Sequence, residues 1–185
     1  MNKFLKFIVF LLALVAFGIF IYSYTNNIGL FKKPLSPKDT VEFKLNELEL
    51  NVFYNRPSKR ERDIFGGLVA YNKVWRTGAN EATTFETNKP LHILGDSLRA
   101  GKYTLWTIPG ETNWHVIFNS KHYPWGVNDA MEPMREPEFD VIDVEIPILT
   151  LEKPVEQFTI AFDNSTDNLS LTMAWDTTKI VVPLK

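Results

Sequence analysis

The side chains best suited to polar chemistry crowd into residues 53–84, where arginines, amides, glycines and aromatics alternate more densely than a routine sheet needs. Arg56, Lys59, Arg60, Arg62 and Arg76 bring cations together, with Glu61 and Asp63 interleaved. Guanidinium forks match carboxylate, phosphate or sulfate in bidentate geometry. The same cations would equally pair with Glu61, Asp63 and Glu81 and otherwise stand solvated. In the run Arg76-Thr-Gly-Ala-Asn-Glu81, Gly78 and Ala79 permit close backbone approach while Arg76, Asn80 and Glu81 offer donors and acceptors. That mixture would orient a polyhydroxyl or anionic ligand, or form an internal network satisfying a loop's backbone groups. The candidate binding set is therefore Arg56, Arg62, Arg76, Asn80 and Glu81, with Trp106 or Trp125 stacking on the ligand.

Catalysis finds weaker support. An acid or base for glycan or ester hydrolysis would fall to Glu81, paired with Glu86 or Glu111, beside an arginine as electrostatic stabiliser. Gly95-Asp-Ser-Leu98 spells a lipase and esterase nucleophile block, but His92, His115 and His122 are the three histidines and no Asp-x-x-His provides a base. A hairpin turn explains its Gly and Asp without chemistry. His115 and His122 with Glu111 or Asp129 match no zinc spacing. Neither a metal nor another cofactor is expected. The sequons Asn164-Ser-Thr and Asn168-Leu-Ser lie in an Asn-rich turn and are given no weight.

The elements that position these residues read as strands. Leu48, Leu50, Val52 and Tyr54 alternate against Glu47, Glu49, Asn51 and Phe53, the period-two signature of a half-buried strand. Similar runs at 82–87, 91–94, 102–108, 114–119, 139–148, 157–162, 169–175 and 179–182 make about nine strands. Turn chemistry separates them, as in Asn88-Lys-Pro90, Gly95-Asp-Ser97 and Pro124-Trp-Gly126. No helical periodicity occurs beyond the N-terminal segment, so crossover helices are lacking and an antiparallel two-sheet β-sandwich is expected, with a jelly roll or barrel as alternatives. The acidic, Pro-broken stretch 129–138 reads as a surface loop or a lid.

Ahead of this domain, no charged side chain occurs between Phe7 and Phe31. A helix from Leu5 to Tyr24 would reach about 30 Å, the hydrocarbon thickness of a bilayer, with Tyr22 and Tyr24 at an interface. Residues 1–24 are thus expected to be an uncleaved signal-anchor, 25–40 a linker, and 41–185 one extracytoplasmic β domain. Lys3 and Lys6 would keep the N-terminus cytoplasmic, against Lys32 and Lys33 beyond the far end. A signal peptide cut after Ala16-Phe-Gly18, releasing the domain, is the rival reading, although it would leave the apolar Ile19-Phe-Ile-Tyr22 exposed. The chain has no cysteine, so no disulfide framework supports the exported domain. Its formal charge of −2 and pI of about 5.9 argue against nucleic acid as a partner.

Several blocks carry a resemblance: Arg56-Pro-Ser, Phe65-Gly-Gly-Leu-Val, Lys73-Val-Trp-Arg-Thr-Gly-Ala-Asn-Glu-Ala-Thr83, Ala100-Gly-Lys-Tyr-Thr-Leu, Thr107-Ile-Pro-Gly110, Trp114 with Val116-Ile-Phe-Asn119, Trp125-Gly126 and Ala174-Trp-Asp. Over roughly residues 45–185 the chain resembles the domain of unknown function 2911 family. It departs from that pattern at Glu61, Ala70 and Asn72, where Gly, Pro and Gly are usual. The resemblance implies an exported or envelope-associated bacterial protein and supplies no catalytic residue. The expectation is a membrane-anchored module that binds a polar or anionic ligand, a glycan or an envelope partner without catalysis. An envelope enzyme using Glu81 and a purely structural or assembly protein are the alternatives.

Overall fold

The computed structural model describes residues 2–26, 34–166 and 168–185. It divides into two compact units, Met1–Leu35 and Ser36–Lys185. In the first, α1 spans Lys3–Thr25, one or two residues longer at each end than the apolar run alone suggests. Asn2 caps it by accepting from the Phe4 N–H at 2.8 Å, and the Asn26 N–H closes the last turn on the Tyr22 carbonyl at 3.0 Å. None of its residues is buried by protein. The helix is long and apolar enough to cross a membrane, a property that suits an anchor and a signal peptide alike. Residues 27–33, with Lys32 and Lys33 and most of the expected linker, lie outside the described residues.

The second unit is built from antiparallel strands: β1 Lys38–Leu45, β2 Leu48–Asn55, β3 Thr84–Thr87, β4 Leu91–Ile93, β5 Asp96–Leu98, β6 Gly101–Pro109, β7 Asn113–Asn119, β8 Asp140–Pro147, β9 Leu149–Asp163 and β10 Ser170–Pro183. Six of them form a sheet in the order β1-β2-β3-β6-β7-β8, while β9–β10 and β4–β5 are two-stranded. The large sheet has two edges, so the sheets do not close into a barrel. Three differences from the sequence reading stand out. β1 starts at Lys38, inside the segment assigned to the linker, and pairs Lys38 with Asn55. The Gly95-Asp-Ser block contributes β5, joined to β4 by a two-residue turn with positive φ at Leu94 (50°) and Gly95 (103°), as a type I′ hairpin requires. The runs at 169–175 and 179–182 are one strand, because bulges at Asp176, itself at φ 51°, absorb the polar Asp-Thr-Thr interruption.

Alternation decides which face each strand buries. Leu50, Val52 and Tyr54 of β2 point the same way as Phe85, Leu105, Val116, Phe118, Ile142 and Val144, and join one cluster with Phe158, Ile160, Leu171, Met173, Trp175 and Val182 from β9–β10. Burying each such side chain contributes about 1.5–3 kcal/mol. The loop 56–81 closes one end of this core. Phe65 stacks edge-on to Trp114 at 4.8 Å, and Trp75 lies 5.0 Å from Phe158 and 6.0 Å from Trp175. On the opposite face of the sheet Trp106 and Ile117, direct cross-strand partners, are covered by Ala82, Tyr123 and Val74 into a second, smaller cluster. Segments 71–82 and 120–136 therefore meet over the outer side of β6 and β7.

Candidate functional site

The five residues read from sequence do not share one pocket. Arg56, just past β2, donates from Nε to the Phe158 carbonyl at 3.3 Å and from Nη2 to Thr159 Oγ1 at 3.1 Å, and its Nη1 pairs with Asp39 at 3.2 Å. It ties the end of β2 to β9. Arg62 folds back on its own turn, donating from Nε to the Lys59 carbonyl at 3.0 Å and from Nη2 to the Ser58 carbonyl at 2.6 Å. Lys59 meanwhile pairs with Asp176 at the β10 bulge. Arg56, Lys59 and Arg62 thus serve backbone carbonyls, Asp39 and Asp176, rather than the Glu61, Asp63 or Glu81 that the sequence reading offered as partners.

Asn80 and Glu81 enter a polar network around Asn55, a fully buried residue at the end of β2. Asn55 Nδ2 donates to Glu81 Oε2 at 2.9 Å, and its Oδ1 accepts from Asn80 Nδ2 at 3.4 Å. Lys38 pairs with the other Glu81 oxygen. The Lys38 ammonium foremost, then Glu81's own backbone N–H and the Asn55 amide, hold the Glu81 carboxyl below the usual carboxylate range despite partial desolvation. A carboxylate held ionised in this way is tuned against service as a general acid. Beside it Thr83 Oγ1 donates to the Thr77 carbonyl at 2.7 Å, and the Thr77 and Thr107 hydroxyls meet at 3.1 Å. Gly78 is required here, since a Cβ would sit 2.9 Å from the Asn55 carbonyl oxygen. Asn55, Lys38 and Asp39 escaped the sequence reading because they are distant from the 76–81 run in sequence; a polar residue ending an otherwise apolar strand was the available signal.

Arg76 differs from all of these. Its Nη1 is buried and has no hydrogen-bond partner among the described residues. Burial, with no charge partner, lowers its pKa from the ordinary arginine value. The centroid of the Trp125 ring lies 5.9 Å from the Arg76 Cζ. That distance falls at the limit of a cation–π contact. Gly126 closes the arrangement from above: a Cβ at its φ of +84° would meet Ala82 Cβ at 3.1 Å, and Arg76 Cβ and Trp106 Cη2 at 3.3 Å each. Trp125 is 48% exposed, whereas Trp106 is fully buried. Of the two tryptophans expected to stack on a ligand, Trp106 is therefore unavailable and Trp125 is accessible. Trp106 Nε1 is a second buried donor without a partner in this cluster; Trp114 Nε1 is another, in the main core.

The remaining polar constellations stay apart. Ser97 lies on the exposed side of the β4–β5 hairpin opposite His92. His115 Nδ1 pairs with Asp143 at 2.8 Å on the outer side of β7 and β8. Among the described residues no group of three His, Asp or Glu side chains gathers closely enough to hold a metal ion.

Residues 36–184 match the family described as Protein of unknown function (DUF2911). The chain belongs to the DUF2911 family. No curated protein and no solved structure matches it. Glu61 and Asn72, two positions where the resemblance implied glycine, have φ of 60° and 57°, in the left-handed region that glycine enters without penalty. Arg60, Thr77 and Asn80 share positive φ, so the signature stretch concentrates strained backbone. For the β-branched Thr77, buried and tied to Thr107, the strain is held by its surroundings.

Proposed function

We propose that this DUF2911 chain is a membrane-anchored, extracytoplasmic module that binds a polar or anionic envelope ligand or partner without catalysis, and that Arg76 beneath Trp125 is its binding element. The observation that carries this reading is the half-buried guanidinium with an orphan Nη1. An unmet buried donor costs about 1–3 kcal/mol, and a buried charge more. Trp106 and Trp114 also bury an unmet N–H, but each is a neutral donor on a fully buried ring, whereas Arg76 carries a charge that an arriving anion would complete. Trp125 adds an exposed aromatic face on which a sugar ring or an apolar group would rest. Arg56, Arg62, Asn80 and Glu81 then act as the frame that fixes the loop.

The domain is read as a two-layer β-sandwich, the small β9–β10 and β4–β5 sheets lying over the six-stranded one, supported by their shared apolar cluster. Retention of α1 as a single-pass anchor with a cytoplasmic N-terminus is supported by its length, its lack of charge and the positions of Lys3 and Lys6. The experiment is a titration of the full chain in detergent micelles with inorganic phosphate and with galacturonate, followed by intrinsic fluorescence. Saturable binding that Arg76→Ala abolishes and Trp125→Ala weakens is expected. If Arg76→Ala leaves both binding and melting temperature unchanged, this site is wrong. A fall in melting temperature without any binding assigns Arg76 to structure.

A further inference from the structure

Residues 124–134 stand over Arg76 in an unusual way. Every hydrogen bond they make among the described residues stays within the segment. Asn128 Oδ1 accepts from the N–H groups of Ala130 and Glu132, Asn128 Nδ2 donates to Glu132 Oε2 at 2.9 Å, and the Met134 N–H reaches the Gly126 carbonyl at 3.0 Å. Val127 and Pro133 form an isolated bridge inside it. Only Gly126 is buried, seated against Ala82, Arg76 and Trp106, and the Trp125 ring lies 5.9 Å from the guanidinium. The flanks, by contrast, are pinned. Tyr123 is buried and its hydroxyl accepts from the Glu136 N–H at 3.0 Å, while Arg135 Nε contacts both oxygens of Asp140 at 3.1–3.2 Å. A compact loop with its own internal hydrogen bonds, attached at two close points, moves as a unit at little enthalpic cost.

We propose that residues 124–134 are a flap that swings about Tyr123 and Arg135, admits a small oxyanion, carboxylate or phosphate, to Arg76 Nη1, and closes over it with Trp125 outermost. The inference rests on the binding role of Arg76 proposed above and adds the route and the ligand class. Nη1 is buried, and Trp125 and Gly126 of this segment lie against the Arg76 side chain, so lifting the segment is the route by which an anion would reach it. A single guanidinium edge suits one oxyanion rather than an extended polyanion. The exposed apolar side chains Met131 and Met134 ride on the flap and leave its motion without a core to disrupt.

Amide hydrogen exchange of the full chain in detergent micelles, with inorganic phosphate and separately with acetate, tests the flap. Residues 125–134 should exchange as one cooperative group, faster than β6 and β7. At a probe concentration ten times its Kd they should slow by about tenfold, and Arg76→Leu should abolish that protection. Gly126→Ala, which wedges the flap against Ala82, should speed its exchange while the strands stay protected. Binding of phosphate or acetate without any change in flap exchange would overturn the flap and leave the Arg76 site standing. Absence of saturable binding by either oxyanion would overturn both. Flap exchange as slow as that of β6 would overturn the hinge.

Discussion

The Arg76 guanidinium lies 5.9 Å from the centre of the Trp125 ring, and its buried Nη1 has no hydrogen-bond partner among the described residues. Backbone carbonyls, Thr159 and Asp39 satisfy Arg56 and Arg62, and Lys38 and Asn55 satisfy Glu81. That contrast separates Arg76 from residues whose polarity is spent on folding.

Replacing Arg76 by Met should therefore leave stability unchanged or raise it by up to about 1 kcal/mol, because an orphan donor is removed while the aliphatic stem is kept. Urea unfolding followed by circular dichroism measures it. A loss above about 2 kcal/mol would mean that the guanidinium has a structural partner.

Glu81→Gln should destabilise the domain by up to about 1 kcal/mol, since the Lys38 pair is partly exposed and screened. The folded carboxyl is held below its ordinary value of 4.5, so its contribution is fully present above that value and fades as pH falls through the folded pKa. Unfolding of wild type and Glu81→Gln compared across pH should show a gap above pH 5 that closes in more acid solution. A gap that widens on acidification would reverse the sign and refute the assignment.

Glu61→Gly should stabilise by about 0.5–1 kcal/mol, the relief of a left-handed residue exceeding the added freedom of the unfolded chain. Asn72→Gly should stay near zero, because Asn tolerates that conformation better. Thermal melts of both variants measure this ranking, and an unstable Glu61→Gly would show that its side chain, not its backbone, holds the turn.

Asn55→Leu should cost more than any of these, about 2–3 kcal/mol, because it strips a partner from both Asn80 and Glu81 in a buried setting. Asn55→Asp should be no milder, since it sets a second carboxylate against Glu81. Equal stability of Asn55→Leu and wild type in urea would remove the network from the list of things that hold the loop.

Much of the strand pattern was legible because alternation of apolar and polar residues survives in β2 and β8, whereas β6 and β7, buried on both faces, read as strands by their β-branched and aromatic runs. It failed where other physics intervened. β10 crosses Asp176-Thr-Thr on bulges, and β5 is three residues of hairpin whose composition is that of a turn. The signature loop was legible as unusual but not in its use. Phe65 and Trp75, in a run that reads as polar recognition, are half-buried and packed against the core. Arg56 and Arg62 found carbonyls contributed by residues that only the fold brings near. Arg76 and Trp125 lie far apart in sequence, and neither the orphan Nη1 nor the close seat of Gly126 has a one-dimensional signal.

Side-chain NMR of the arginine Nε and Nη groups in the full chain, titrated with inorganic phosphate, isolates Arg76 from the other cations. We expect the Arg76 resonances to shift saturably and to be the most perturbed, with Arg56 and Arg62, already held by Asp39 and backbone carbonyls, nearly still. Equal small drifts of all three arginines, or no shift at Arg76 while others move, would contradict a site built on it.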